Sequence, residues 1–154
     1  MTHTLFAFSL DDEEATGILA AKIATYLKAG DTLLLDGQIG AGKSAFARAL
    51  IRARLGRMED VPSPTFTLVQ TYDDENGDIW HCDLYRLTHP DEALELGLSE
   101  AFETAICLIE WPDRLGDVAP KTALTLAFEA QEDQHHLTIT GPSPWPDRLR
   151  GLNA

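Results

Sequence analysis

The chain has 154 residues, 44% of them apolar and 24% charged, which suits one globular domain with a real core. Its net charge of −13 disfavours unaided binding to nucleic acid phosphates. No apolar run approaches the roughly 20 residues of a membrane span. The N-terminal residues lack the basic and long apolar parts of a secretory signal. Cys82 and Cys107 are too few and too isolated for a disulfide framework or a zinc site, and the cytoplasm is the expected compartment. Residues 1–141 read as a single domain, and the stretch 142–154, rich in proline and arginine, as a C-terminal tail.

Ser9 followed by Asp12, with acids at 11–14, predicts a helix start. Ile18, Leu19, Ile23, Tyr26 and Leu27 then recur on one helical face, and Gly30 ends the segment. Thr32 to Asp36 is a buried strand, and Ala45 to Leu55 a helix. Between them runs Gly37-Gln38-Ile39-Gly40-Ala41-Gly42-Lys43-Ser44, which fits G-x-x-x-x-G-K-[ST] at every fixed position. Three glycines let successive N–H groups turn toward an anion, and the helix N-terminus adds its partial positive charge. Lys43 would reach the β- and γ-phosphates, and the Ser44 hydroxyl would ligate Mg²⁺. The chemistry expected here is binding of a nucleoside triphosphate.

Ser63-Pro64-Thr65-Phe66-Thr67-Leu68-Val69 predicts a strand with Thr65 and Thr67 on one face. Such threonines sense Mg²⁺ and the γ-phosphate in nucleotide switches, and bare β-propensity explains them equally. A turn over 73–78 leads to the strand Ile79 to Cys82, which ends on Asp83. An acid in that place serves Mg²⁺ or the attacking water. His81 beside Cys82 and Asp83 hints at a metal cluster, but alternating side chains point opposite ways, which disfavours a shared ion. Residues 89–96, opened by Pro90, and 98–104 are short helices separated by Gly97. Ala105 to Ile109 is a second buried strand, closing on Glu110, the more convincing acidic partner of the loop. Trp111 either packs over the nucleotide or fills the core. Thr122 to Phe128 and His136 to Thr140 form a hairpin. Trp-Pro-Asp-Arg-Leu occurs at 111–115 and again at 145–149, without an evident reason in the pattern.

The loop 37–44, the stretch 63–69, His81-Cys82-Asp83-Leu84-Tyr85-Arg86 and Ile109-Glu110-Trp111-Pro112 occur together in an order that resembles the TsaE (YjeE) family. The likeness spans the chain from the first helix to Trp111. It implies an ATPase, weak without partners, needed for N6-threonylcarbamoyladenosine at position 37 of tRNA. In that family the protein binds the TsaB–TsaD complex, which carries out the transfer, and hydrolyses ATP slowly to reset it; tRNA would be met only through those partners. The resemblance implies Mg²⁺ held by Ser44 and Glu110, and Asp83 assisting hydrolysis together with Lys43. Thr65 and Thr67 would form a nucleotide-sensing segment, and Trp111 would lie beside a nucleotide cradled by residues 37–45. Gln38 stands where the family usually has an acid, and Ala45 where a threonine is frequent. The turn 129–136 lacks the glycine–arginine pairing often seen there.

The expected architecture is an α/β phosphate-loop NTPase fold. Its mixed sheet, flanked by helices, would hold the 32–36 and 105–109 strands parallel at its centre with two antiparallel hairpins. The main alternative is a small-metabolite kinase on the same fold, though no segment reads as an arginine-bearing lid. A GTPase is disfavoured because N-K-x-D is absent from the sequence, and a non-hydrolysing nucleotide-binding adaptor remains a further reading.

Overall fold

The structure, a computed structural model, describes residues 3–38, 41–56, 61, 68–75, 77–131 and 134–152. Thr65, Thr67, Ile39 and Gly40 lie outside the described residues, as does most of the predicted strand 63–69.

The apolar runs that close on acids become the parallel centre of a sheet. Its strands are β1 (His3–Leu10), β2 (Thr32–Asp36), β3 (Val69–Asp74), β4 (Gly77–Asp83), β5 (Ile106–Glu110), β6 (Leu124–Ala130) and β7 (His135–Gly141). Their spatial order is β1-β7-β6-β2-β5-β4-β3. β6, β2, β5 and β4 run parallel, while β3 pairs antiparallel with β4, β7 with β6 and β1 with β7. The expected α/β mixed sheet is therefore present, with both hairpins antiparallel.

A parallel strand must be covered on both faces, which is why β5 carries no alternation of apolar and polar residues. Ile106 and Leu108 enter one core with Ile23, Phe46, Leu50, Leu33 and Leu35. Cys107 and Ile109 enter the other with Leu84, Leu98 and Leu115. The first core lies under α1 (Glu13–Ala24) and α2 (Lys43–Leu55), which pack together. The second lies under α4 (Leu98–Thr104), which follows the single turn α3 (Asp91–Glu95), and under a 3₁₀ segment, Pro112–Val118. Arg54 joins α2 to α1 by donating to the Ala24 and Leu27 carbonyls at 3.0 Å, and it pairs with Asp74 on β3.

Several boundaries differ from expectation. Ser9 does not cap α1; it sits in β1 opposite His136, and Asp12 is the cap, its Oδ1 accepting from the Ala15 N–H at 2.8 Å. β1 is an edge strand whose partner, β7, lies far along the chain, so local pattern does not announce it. α1 stops at Ala24, before Gly30, where the Thr25 hydroxyl donates to the Lys22 carbonyl at 2.7 Å and competes with continued helix. Ile18 faces outward and is 54% exposed.

The stretch 142–152 packs into the same core as the rest. Trp145, in α5 (Trp145–Arg148), is buried with Leu149 and Leu152, and its Nε1 donates to the Thr122 carbonyl at 2.7 Å. Arg148 bonds both Asp31 carboxylate oxygens, at 2.9 and 2.6 Å, and the Tyr26 carbonyl at 2.9 Å. The repeated Trp-Pro-Asp-Arg-Leu gains a physical account here. In both copies proline opens a short helical turn and the final leucine, Leu115 or Leu149, is fully buried.

Candidate functional site

Because β2, β5 and β4 are parallel, their C-terminal ends share one edge of the sheet. Asp36, Glu110 and Asp83 all stand there, with Leu35 and Asp83 as the register partners of Glu110 on either side. The glycine-rich loop leaves β2 at this same edge.

The loop's geometry rests on two glycines in backbone conformations that strain any other residue. Gly37 has φ 147°, and a Cβ there would stand 2.5 Å from the Phe128 carbonyl oxygen of β6. Gly42 has φ 106°, and a Cβ there would meet His135 Nδ1 at 3.1 Å. Gly42 precedes α2, whose first turn holds no acid and whose start has no side-chain cap. The first N–H groups of a helix have no intrahelical acceptor. Here they are offered beside a lysine, an arrangement that suits an anion.

Lys43 is buried, and its Nζ donates to the Gly37 carbonyl at 2.6 Å and stands 3.6 Å from the Trp111 ring centroid. Burial pulls its pKa below the ordinary lysine value, and the carboxylates of Glu110, Asp83, Asp36 and Asp113 act in the opposite direction. Ser44, the next residue, donates through Oγ to Glu110 Oε1 at 3.0 Å. Glu110 is buried, and its Oε2 lies 2.7 Å from His81 Nε2. Asp83, also buried, accepts the Tyr85 N–H at 3.0 Å on Oδ1, and its own N–H donates to the Leu68 carbonyl at 2.9 Å. Leu68, the acceptor of that bond, has φ 69°, in the left-handed region.

Trp111 occupies the left-handed region at φ 60°, ψ 55°, a conformation that costs a side-chain-bearing residue of order 1–3 kcal/mol. It is held between Lys43 and Tyr85, whose ring centroid lies 4.9 Å away at an interplanar angle of 55°. Trp111 covers the lysine and also packs against the second core. On the other side of the loop, Gly37 and Gln38 border a groove of about 400 Å³ with Ala127, Phe128, Glu129, Ala130 and Thr138.

Gly37, Gln38, Ala41, Gly42, Lys43, Ser44, Ala45, Asp83, Glu110 and Trp111 are all described, and Lys43 is ringed by the proposed acids and by Trp111. Thr65, Ile39 and Gly40 lie outside the described residues. Sequence reasoning missed His81 as the partner of Glu110. Strand alternation carried the signal, since His81 and Asp83, two residues apart, share a face.

A parallel sheet edge with a glycine-cradled lysine and a helix opening directly from the loop defines an α/β protein of the phosphate-loop class. Residues 10–138 match the sequence model of TsaE, the threonylcarbamoyl adenosine biosynthesis protein. The chain belongs to the TsaE family. It is 38% identical to the tRNA threonylcarbamoyladenosine biosynthesis protein TsaE of Rickettsia bellii, over 83% of this chain and 89% of that protein. With the TsaE protein of Bacillus subtilis it shares 36% identity over 82% of this chain and 80% of the relative. The crystal structure of Bacillus subtilis YdiB superimposes with a TM-score of 0.83 at 28% identity, covering 99% of this chain and 96% of that one. The family places the chain in tRNA threonylcarbamoyladenosine biosynthesis.

Proposed function

We propose that this protein is a Mg²⁺-dependent ATPase that acts with a TsaB–TsaD pair in forming N6-threonylcarbamoyladenosine at position 37 of tRNA, hydrolysing ATP slowly to reset that pair. The observation that carries the reading is the 3.0 Å contact between Ser44 Oγ and the buried Glu110 carboxylate, one residue from Lys43. A hydroxyl and a carboxylate are hard oxygen donors, which suit Mg²⁺. Mg²⁺ keeps several waters and takes only one or two protein ligands beside substrate phosphates. Ser44 and Glu110 supply two such oxygen groups side by side, next to the lysine that follows the loop. The residues present therefore fit the ion, with Ser44 and Glu110 as its holders.

When bound, the ion neutralises charge on the β- and γ-phosphate oxygens. The chain's own groups do the rest. N–H groups of the loop and of the α2 start hold the phosphates, and Lys43, released from the Gly37 carbonyl, donates to the terminal ones. Asp83 orients the attacking water and accepts its proton. Trp111, backed by Tyr85, covers the lysine and shields its charge from bulk water. The net charge of −13 agrees with tRNA being held by the partners and not by this chain. No helix among the described residues is long and apolar enough to cross a membrane. A cytoplasmic location belongs to the same proposal.

The test is phosphate release from ATP by the purified protein, alone and with TsaB and TsaD, paired with an assay of threonylcarbamoyladenosine on tRNA. Turnover that rises only with the protein pair, and modification that needs all three, support the reading. Phosphate transferred to a small metabolite would overturn it in favour of a kinase.

A further inference from the structure

His81 belongs to no part of the mechanism above, yet it is 1% exposed and sits against the most important carboxylate of the site. β4 and β5 are parallel with His81 opposite Leu108 and Asp83 opposite Glu110, so His81 and Glu110 form a diagonal pair on one face. The His81 Nε2–Glu110 Oε2 distance is 2.7 Å, and a carboxylate only accepts, so Nε2 carries the proton. The other ring nitrogen, Nδ1, is buried without a hydrogen-bond partner among the described residues. Among the described residues, the imidazole's hydrogen bond is to Glu110. Glu110 accepts from His81 on Oε2 and from Ser44, whose Oγ lies 3.0 Å from Oε1 and 3.3 Å from Oε2, and these contacts set the plane of a carboxylate that otherwise turns freely about its terminal torsion.

We infer that His81 is a positioning residue: it fixes the Glu110 carboxylate in the orientation that presents Oε1, together with the Ser44 hydroxyl, to Mg²⁺. The inference rests on the reading of Ser44 and Glu110 as the Mg²⁺ holders. It assigns His81 a role outside the ion's own coordination, distinct from the metal-cluster idea that the motif suggests on paper. Partners of this kind hold a ligating group at the right angle, and their loss lowers metal affinity about 10- to 100-fold.

The experiment follows the binding of a fluorescent ATP analogue to the full chain while MgCl₂ is titrated, for the wild type and for His81→Leu, His81→Gln, His81→Asn and Glu110→Gln. The Gln amide nitrogen lies where Nε2 lies and can still donate to Glu110; the Asn amide lies where Nδ1 lies and falls short. His81→Leu and His81→Asn should raise the half-effective Mg²⁺ concentration by about 10- to 100-fold, and His81→Gln should recover most of that loss. Analogue affinity measured in EDTA should stay at the wild-type value in all three. A residue serving only to fill space would not separate Gln from Asn. If His81→Leu fails to fold, the Gln and Asn pair still decides. Should His81→Asn match the wild type while Glu110→Gln shifts the Mg²⁺ response, the role of His81 falls and the Glu110 assignment stands. Should Glu110→Gln leave the Mg²⁺ response unmoved, the Glu110 assignment itself falls, and the inference with it.

Discussion

Asp83 and Glu110 face each other as register partners at the ends of neighbouring parallel strands, and both act on the charge of Lys43. Their separation of roles follows from what each touches. Glu110 meets the loop's Ser44 hydroxyl, while Asp83 takes a main-chain N–H from Tyr85 and is tied through its own N–H to Leu68.

The Ser44–Glu110 contact predicts energetic coupling. Ser44→Ala and Glu110→Gln should each weaken Mg²⁺-dependent nucleotide binding, and the double variant should lose less than the sum. A coupling of about 0.5–3 kcal/mol is the range for contacting groups. Isothermal titration with Mg-ADP measures it, and strict additivity would contradict a shared site.

Asp83→Asn should slow phosphate release by about 10²–10⁴-fold, the usual worth of a positioned proton acceptor, with little change in nucleotide affinity. Single-turnover kinetics beside equilibrium binding separate the two. A collapse of binding would move Asp83 into the metal's surroundings.

Gly37→Ala brings a methyl group into the Phe128 carbonyl, which is backbone of a central strand and cannot swing aside. Overpacking and a positive φ together should cost about 2–5 kcal/mol. Urea unfolding would show this as a lowered midpoint, alongside lost nucleotide binding. A variant of normal stability would mean that the loop can leave β6.

Trp145→Ala should destabilise by about 3–5 kcal/mol, a fall in Tm of roughly 6–20 °C for a domain of this size. Nucleotide affinity below the transition should not change, because Arg148 anchors this turn to Asp31, just ahead of β2 and at the end opposite the loop. Calorimetry and binding on one sample test both halves. A variant that weakened binding without lowering Tm would contradict this structural role of Trp145.

Burial pushes the Cys107 thiol up to about 12 and Cys82 well above its ordinary value of 9.0. In the unfolded chain Cys107 loses its proton near 9.0, whereas in the fold it keeps it to about 12. The folded state therefore holds more protons across that window, and stability, intact below it, falls as pH rises through it. Cys107→Val should flatten that decline. Unfolding midpoints at neutral pH and at about pH 10 check the sign, and a wild type equally stable at both would refute it.

The parallel centre was readable because Leu33 to Leu35 and Ile106 to Ile109 are unbroken apolar runs ending on acids, a pattern local to a few residues. The loop was readable for the same reason. β1 was not, because its register with β7 is set by residues about 130 positions away and leaves no mark beyond Phe6 and Phe8. The burial of Trp145 is not legible in its proline-rich surroundings, because it depends on the Thr122 carbonyl and the first core, which lie elsewhere in the chain. Strand alternation puts His81 and Asp83 on one face, but that this face meets Glu110 is set by the β4–β5 register, which no single segment contains. Trp111 has both characters, over Lys43 and against the second core, which its place after β5 does not separate in the sequence.

The sheet's order also sets a schedule for the chain as it is synthesised. β2, which launches the loop, is flanked by β5 and β6, and β1 has only β7 beside it. A ribosome that has delivered the loop and both acids has still to release the strand that holds Gly37 in place. Residues 3–10 must wait, unpaired, for 135–141 to emerge. Assembly of the site is thereby deferred until nearly the whole chain is free, and the earliest-made strand is among the last to find its place.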